Sequence, residues 1–371
     1  MGKETRNYGI DLLRIAAMLG VVILHILSHG GILANATEGA NFVSVWILNI
    51  LCYPAVNCFV LIAGFVGYRE EQYFPKLRNL ISLVFTVLFY SVSICCVLKV
   101  FFPAQITGRV LAEAFLPITT GKYWFFTAYF AMFLVSPFLN LFVSKADRKM
   151  LGIFLPVTLL LGMADRIGVN FSLSEGYSFV WFSMLYVIGG AMKKYALPEK
   201  YSPTIWLACT GSSLGITLLV KLVFQWIPAE IFGLPLQKLG SLFISYCSPT
   251  ILLAAIGALG LFARIRVNDL AGRYIRFFSA AAFSVYLIHD NDYIRQMLMA
   301  DRFAPWADLH PFLLPGAILL LAAGIFLVCS LTDKLRAGIF TLLGIHKLSG
   351  WLEKQIKKAA AKLLRSFEKL F

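Results

Sequence analysis

The sequence predicts an all-α fold: a polytopic membrane protein with about ten transmembrane helices. Of the 371 residues, 59% are hydrophobic and only 14% are charged, whereas a soluble domain carries about 25% charged residues. This composition argues against a soluble enzyme, a disordered chain or a nucleic-acid-binding domain. The length also divides naturally into about ten segments of roughly 20 apolar residues with short loops between them.

The apolar runs that predict these helices succeed one another along the chain. The fifth and sixth runs are short for a complete crossing, and Pro156 interrupts the fifth. Apolar stretches of about 10–14 residues can also form re-entrant segments. The ten runs cover residues 8–29, 43–67, 79–102, 123–143, 150–164, 177–192, 205–226, 240–263, 277–298 and 312–332.

The distribution of charge between successive loops predicts the orientation. If the N-terminus is cytoplasmic, the segments on that side carry 18 Lys and Arg residues before the C-terminal tail, and the opposite loops carry six. This asymmetry agrees with the positive-inside rule at every loop. In a membrane protein the net charge of +14 fits cytoplasmic loops that face anionic lipid. The sequence therefore predicts a multi-pass protein of the cell membrane with both termini in the cytoplasm.

The pattern changes near residue 347, which divides the chain into a membrane domain, 1–346, and a basic tail, 347–371. The tail repeats apolar residues such as Trp351 and Ile356 at helical spacing, and lysines and arginines occupy much of the remaining surface. This pattern predicts an amphipathic helix on the inner membrane surface, bound to anionic lipid. The alternative is a soluble helix that packs on a cytoplasmic loop.

The first helix carries three polar residues within an apolar run, namely Asp11, Arg14 and His25. A charged residue inside a membrane helix is costly, so it is a candidate functional residue. Asp11 and Arg14 share a helix face, and His25 follows Arg14 by almost three whole turns, about 16 Å along the axis. The alternative interpretation has Arg14 snorkelling beside Asp11 and His25 buried in a satisfied packing position.

The chemistry of these side chains suggests two roles. Imidazole is suited to general-base catalysis near neutral pH, and the guanidinium of Arg14 can hold an anionic group that arrives from the cytoplasm. His29 follows His25 at a spacing found in metal sites, but there is no HExxH motif, and no carboxylate lies nearby before Glu38. We therefore predict no metal site.

Four segments resemble the integral-membrane acyltransferases of the acyltransferase-3 type. YGIDLLRIAAMLGVVILHILSH at 8–29 resembles their opening helix, with an Arg, ten intervening residues and a His. CYPAVNCFVLIAGFVGYR at 52–69 resembles the second helix, with Ala63 where a Ser is common. GKYWFFTAYFAMFLVSPFLN at 121–140 and FSVYLIHDN at 283–291 resemble two later helices. The resemblance covers about residues 6–335 and excludes the tail.

This resemblance implies an O-acyltransferase, most simply an O-acetyltransferase. Such proteins transfer an acyl group from cytoplasmic acyl-CoA, usually acetyl-CoA, to a hydroxyl of an extracytoplasmic glycan, glycolipid or related small acceptor. By the family motif, Arg14 and His25 carry over as the essential pair. The basic motif after the second helix falls among Arg69, Lys76 and Arg78, which are expected to help Arg14 hold CoA. The identity of the acceptor and the length of the acyl chain stay open.

Other polar groups lie where a substrate path could pass. The alternatives to a substrate role are an interhelical hydrogen bond for Asn57, an aromatic belt or core position for the tyrosines and the tryptophan, and packing for His289. The candidate substrate residues are Asp11, Asn57, Tyr123, Trp124, Tyr129, His289 and Asp290.

Two functions without catalysis also fit the pattern of helices. A transporter of a small molecule or glycan, or a non-catalytic partner in glycan export, would explain the apolar helices and the buried Arg14. Neither function would require CoA, so dependence on acetyl-CoA distinguishes them from an acyltransferase.

Overall fold

The computed structural model describes residues 6–70, 77–227, 230–231 and 234–368. Within these ranges the chain is helical, apart from turns, loops and a two-residue antiparallel pair, Glu230–Ile231 with Leu234–Pro235. The predicted all-α class is confirmed for the part of the chain that the structure describes. Lys76, one of the predicted CoA-binding residues, lies outside the described residues.

The first half of the chain contains eight α-helices, which vary from one turn to seven in length. They are α1 (Tyr8–Ser28), α2 (Ile32–Asn35), α3 (Gly39–Cys52), α4 (Ala55–Gly67), α5 (Leu77–Phe101), α6 (Gly108–Ala114), α7 (Trp124–Lys145) and α8 (Arg148–Arg166).

The second half adds eight more α-helices and several short turns of other helix types. The α-helices are α9 (Phe179–Lys194), α10 (Leu197–Lys200), α11 (Pro203–Trp226), α12 (Pro249–Ala263), α13 (Asp269–His289), α14 (Asp292–Ile294), α15 (Leu314–Leu342) and α16 (Ile345–Glu368). Short 3₁₀ turns occupy Ser174–Gly176, Leu236–Ser241 and Ala304–Asp308, and a π turn occupies Arg295–Met299.

Every predicted apolar run contains a long helix, but four runs differ in their limits. The tenth run, 312–332, is occupied by α15, which continues to Leu342. The second run is divided into α3 and α4 at Tyr53–Pro54, where Pro54 cannot donate a backbone hydrogen bond. The predicted interruption at Pro156 is wrong: this proline lies inside α8. The eighth becomes α-helical only at Pro249, and proline favours the first position of an α-helix. The ninth ends at His289 rather than at 298, where a cluster of polar residues interrupts the apolar pattern.

Among the described residues, six helical segments are long and apolar enough to cross a membrane: Tyr8–Ser28, Gly39–Gly67, Leu77–Phe101, Trp124–Lys145, Pro203–Trp226 and Leu314–Leu342. The other four predicted runs are occupied by α8, α9, α12 and α13, which are shorter or less apolar. The protein is therefore a multi-pass membrane protein.

The first helix lies at the centre of the bundle. It contacts α3, α4, α12, α13 and α15, and most of its apolar side chains are buried. Its N-terminus is capped by Asn7, whose side chain accepts hydrogen bonds from the backbone N–H groups of Gly9 and Ile10. The same amide donates to the carbonyl of Ala263, which anchors the start of α1 to the end of α12. The polar stripe of α1 therefore faces protein rather than lipid.

Helices α4 and α9 approach each other closely through two glycines. A Cβ atom placed on Gly64 would lie 2.1 Å from the carbonyl oxygen of Tyr186, and one on Gly189 would lie 2.1 Å from that of Leu61. Small residues allow membrane helices to pack backbone against backbone. This contact holds α4 in place beside α1.

The C-terminal helix α16 packs against α5 and α15. Arg78 of α5 lies beside Gly350 of α16. Up to residue 362, where the description of its side chains ends, α16 exposes three large apolar residues, namely Leu348, Trp351 and Ile356. The helix thus presents apolar groups as well as its lysines to the surroundings.

Candidate active site

The N-terminal half of α1 carries a buried cluster of charges. Asp11 is 1% exposed, and it accepts hydrogen bonds from Nη1 of Arg14 at 2.6 Å and from the hydroxyl of Ser279 on α13 at 3.0 Å. Arg6 binds the other carboxylate oxygen. Since two guanidinium groups share one carboxylate, the cluster keeps a positive charge. Asp11 is therefore placed as the counter-ion of Arg14.

Arg14 lines two adjoining cavities, which we call the Arg14 cavities, of about 300 and 540 Å³. Arg6 lines the smaller cavity and Arg69 the larger, and Tyr129 lines both. The predicted residues Arg14, Arg69 and Tyr129 are thus brought together. A molecule in these cavities meets guanidinium groups, which bind phosphate and carboxylate groups well.

A larger cavity of about 650 Å³, the central cavity, lies at the other end of α1 beside His25. The break between α3 and α4 places Tyr53 in its wall. Most of the wall is aromatic or aliphatic, which leaves a few polar groups to orient a ligand. Its aromatic residues are Trp46, Tyr53, Phe59, Trp124, Phe125, Tyr177, Tyr246, Phe283 and Tyr286.

His25 meets the end of α13 at this cavity. Its Nδ1 atom lies 3.1 Å from Nε2 of His289 and 3.5 Å from Oδ1 of Asp290. His289 is 2% exposed, and its Nδ1 atom is 2.6 Å from the carbonyl oxygen of Val285. The two predicted residues His289 and Asp290 therefore form the immediate surroundings of His25.

The polar cluster that ends α13 is held by local hydrogen bonds. Asn291 caps the short α14 by accepting from the backbone N–H of Tyr293, as Asn commonly does at helix starts. Arg295 donates to Asp290 at 2.9 Å and to Asp292 at 2.8 Å. The guanidinium group thus fixes the Asp290 carboxylate beside His25.

A fourth cavity of about 440 Å³, the polar cavity, lies beyond Asp290. Glu113, Lys122 and Asp292 line it, with the faces of Trp124 and Tyr293. Within the described part of the chain, Nζ of Lys122 is buried without a hydrogen-bond partner and lies 5.4 Å from the centre of the Tyr293 ring. A bound molecule with oxygen acceptors would satisfy this ammonium group.

The four cavities form a series along α1. The larger Arg14 cavity shares Arg14 and Tyr129 with the smaller one. The smaller one shares Phe59, Phe125 and Phe283 with the central cavity. The central cavity shares Trp124, Asp290 and Arg295 with the polar cavity. The cationic end and the histidines therefore border neighbouring cavities, with a shared wall of phenylalanines between them.

Three groups of the kinds that bind metals also meet in the central cavity. The ligand atoms of His25, His29 and Asp290 lie within 4.8 Å of one another. The guanidinium group of Arg295 already pairs with Asp290. A metal cation would compete with it for this carboxylate and would be repelled by its positive charge. The absence of a resident metal therefore stays our prediction.

Five of the predicted residues that the structure describes line none of these four cavities. They are Asp11 and His289, whose contacts are given above, and Asn57, Tyr123 and Arg78. The Asn57 side chain is completely buried, accepts a hydrogen bond from Nε1 of Trp181 and donates one to the carbonyl of Tyr246. These bonds match the alternative prediction for Asn57, an interhelical hydrogen bond. The hydroxyl of Tyr123 donates to the carbonyl of Leu287 and accepts from Asn291. Arg78 lies beside α16 instead.

Two residues of the site were treated in the sequence only as loop charges, namely Lys122 and Arg295. The spacing of Asp292 and Arg295 matches an i,i+3 ion pair, so this pair could have been found. The burial of Lys122 and the partnership of Arg295 with Asp290 depend on how the loops fold over the end of the bundle.

A comparison with protein families finds one match over most of the chain. The profile of the acyltransferase-3 family, described as an acyltransferase domain, matches residues 7–333. These limits agree with the region predicted from the four sequence segments and leave α16 outside. No curated protein and no solved structure gives a significant match. The chain is a multi-pass membrane protein that belongs to the acyltransferase-3 family.

Proposed function

We propose that this protein is a membrane O-acetyltransferase that moves acetyl from cytoplasmic acetyl-CoA to a hydroxyl of an extracytoplasmic glycan, glycolipid or related small acceptor. The observation that carries the proposal is the series of cavities along α1. It begins at Arg14 and Arg69 and reaches His25, which contacts His289. Membership of the acyltransferase-3 family supports acyl transfer as the reaction class.

The proposed topology has ten crossings with both termini in the cytoplasm. It is supported by the alternation of loop charges and by the long helices found in all ten apolar runs. In this topology Arg14 lies near the cytoplasmic side and His25 near the outer side. The tail helix α16 lies on the inner surface, where its lysines meet anionic lipid and Trp351 and Ile356 enter the interface.

The donor enters from the cytoplasm and places its charged end near the Arg14 cavities. Arg14 and Arg69 bind phosphate or carbonyl oxygens there. Arg14 and His25 are separated by about 16 Å along the helix axis, a span that the extended pantetheine arm of CoA can follow. This narrow arm passes Phe59, Phe125 and Phe283. The thioester thus reaches the central cavity.

The chemistry takes place beside His25. The acceptor arrives through the polar cavity, where Lys122, Asp292 and the face of Trp124 are suited to a hydroxylated molecule. His25 takes the proton of the acceptor hydroxyl as the oxygen attacks the thioester carbonyl. The carbon–sulfur bond then breaks, the proton passes from His25 to the CoA thiolate, and an acetyl ester and free CoA leave.

The test is the release of CoA and the appearance of an acetyl ester in cell-envelope extract incubated with purified protein and labelled acetyl-CoA. We expect labelled ester with the unaltered protein and with His310→Ala, a histidine outside the four cavities. We expect almost none with His25→Ala. The proposal fails if His25→Ala acetylates the extract as well as the unaltered protein does. It also fails if the protein transports a solute across vesicle membranes without CoA and never acetylates that solute.

A further inference from the structure

We propose that His289 is a positioning residue that fixes the tautomer of His25, so that Nε2 of His25 is the basic nitrogen. This inference rests on the proposed function of His25. It is carried by a chain of two hydrogen bonds whose direction follows from the atoms that take part. The chain runs from Val285 through His289 to His25.

The first hydrogen bond determines the protonation of His289. Its Nδ1 atom lies 2.6 Å from the carbonyl oxygen of Val285 on the preceding turn of α13. A carbonyl oxygen can only accept, so Nδ1 of His289 must carry the hydrogen. In a neutral imidazole the other ring nitrogen is then an acceptor, which leaves the lone pair on Nε2 of His289.

The second hydrogen bond transfers this constraint to His25. The Nε2 atom of His289 lies 3.1 Å from Nδ1 of His25. Because Nε2 of His289 accepts, Nδ1 of His25 must donate. Neutral His25 therefore keeps its hydrogen on Nδ1 and its lone pair on Nε2. In hydrolytic triads the orienting residue acts in the same way: it bonds to one ring nitrogen of the histidine and so leaves the other nitrogen as the base.

The charged groups around the pair suit the cationic form that the reaction creates. When Nε2 of His25 takes the proton of the acceptor hydroxyl, Nδ1 still donates to His289. The carboxylate of Asp290, 3.5 Å from this Nδ1 atom, faces the developing charge, and Arg295 keeps that carboxylate in place. The proton on Nε2 then leaves with the CoA thiolate, so His289 itself ends the cycle unchanged.

The direct test is nitrogen NMR of the full-length protein, labelled with ¹⁵N-histidine, in lipid bilayers. The chain has five histidines, so the signals of His25 and His289 can be assigned from single substitutions. We expect the hydrogen of His25 on Nδ1 at a pH where the ring is neutral. A hydrogen on Nε2 of His25 would overturn the inference, and this measurement does not depend on the folding of any His289 variant.

Kinetics provide the second test. His289→Phe, which fills the space without accepting, is expected to lower kcat about 100-fold or more, the scale of a lost acid–base group, with an unchanged KM for acetyl-CoA. His289→Gln can still accept from Nδ1 of His25, so we expect it to recover at least a tenth of the activity. Equal activity of His289→Phe and the unaltered protein would contradict the inference.

The outcomes separate this inference from the proposed function. If His25→Ala is inactive and His289→Phe is fully active, His25 remains the base and only the positioning role is lost. If both His289 variants are inactive and His25 keeps its tautomer in them, His289 takes part in the reaction directly, which also overturns the inference. If His25→Ala is active, the proposed function itself fails.

Discussion

The two ends of α1 hold their functional side chains by different means. At one end Arg14 is paired with Asp11, a carboxylate on its own helix three residues earlier. At the other end His25 contacts His289 and Asp290, which are more than 260 residues away in the sequence. The first pairing is local and readable from spacing, whereas the second exists only because α13 ends beside α1.

This contrast implies a division of labour between binding and chemistry. The Arg14 end combines two guanidinium groups with one carboxylate and keeps a positive charge, which suits an anionic donor. The His25 end has no such excess, because the carboxylates of Asp290 and Asp292 face Arg295 and Lys122. We therefore expect substitutions at the Arg14 end to alter affinity and substitutions at the His25 end to alter turnover.

The largest effect is expected at His25. His25→Ala should lower kcat about 100-fold or more, with little change in the KM for acetyl-CoA, because the donor is held at the other end. His29→Ala, one turn further along, should lose far less. Steady-state kinetics on both purified variants would check this, and the reverse order of effects would move the catalytic role to His29.

The pH profile sharpens the same prediction. A general base must be neutral, so turnover should fall as pH drops through the pKa of His25 and should level off above it. The charged and titratable groups that face this ring are His29, His289, Asp290 and Arg295. In His29→Ala the acid limb should persist, since its origin lies in His25. A profile that becomes flat in this variant would contradict the assignment.

The second effect concerns the donor end. Arg14→Ala should raise the KM for acetyl-CoA by about tenfold or more, the scale of a lost charge-assisted hydrogen bond of 1.5–3 kcal/mol. Arg14→Lys should recover part of this affinity, since it keeps the charge but not the forked geometry. Acetyl-CoA binding measured by calorimetry is the readout. Equal affinity in Arg14→Ala would leave Arg14 as a structural partner of Asp11.

A smaller effect is expected at the polar cavity. Lys122→Met keeps the length of the side chain but removes the ammonium group, so the KM for the acceptor should rise several-fold while acetyl-CoA binding stays the same. Lys99, which binds the carbonyls of Pro103 and Ile106 outside the four cavities, supplies a matched control in Lys99→Met. Equal effects of the two substitutions would exclude a specific role for Lys122.

The smallest effect on catalysis is expected from the tail. Removal of residues 347–371 should leave acetyl transfer in detergent within about twofold, because the cavities do not include α16. A peptide of this segment should bind vesicles that contain anionic lipid, and weakly those of neutral lipid. Complete loss of transfer by a well-folded truncated protein would show that α16 supports the site through α5.

Sequence reasoning found the helices because apolar runs and their breaks are local properties. It located Arg14 and His25 because a polar residue in an apolar run stands out, whatever surrounds it. It misplaced the limits of α12 and α13, where Pro249 and the polar residues after His289 compete with the apolar pattern. The consequence of Pro54 was also missed, although this proline creates the break that exposes Tyr53 to the central cavity.

The candidate site was predictable to a lesser degree. Trp124, Tyr129, His289 and Asp290 were recognised as candidates, and the structure places each of them in or beside the cavities. Asn57 and Tyr123 were equally prominent in the sequence, but their polar atoms bind neighbouring helices. A polar residue at a given depth in the bundle can bond to a neighbouring helix or line a cavity. The direction in which its helix face points decides between the two.

The sequence alone determined the class of protein, the order of its helices, its family and the polar stripe on α1, because hydropathy, charge and motif spacing are written locally along the chain. Only the tertiary structure decided which polar residues meet. The packing of α1 against α13 and the loops around it produces the hydrogen bond between His25 and His289. The same packing produces the ion pair between Arg295 and Asp290 and the series of cavities. Such contacts join distant residues, and their geometry follows from close packing that no local pattern records.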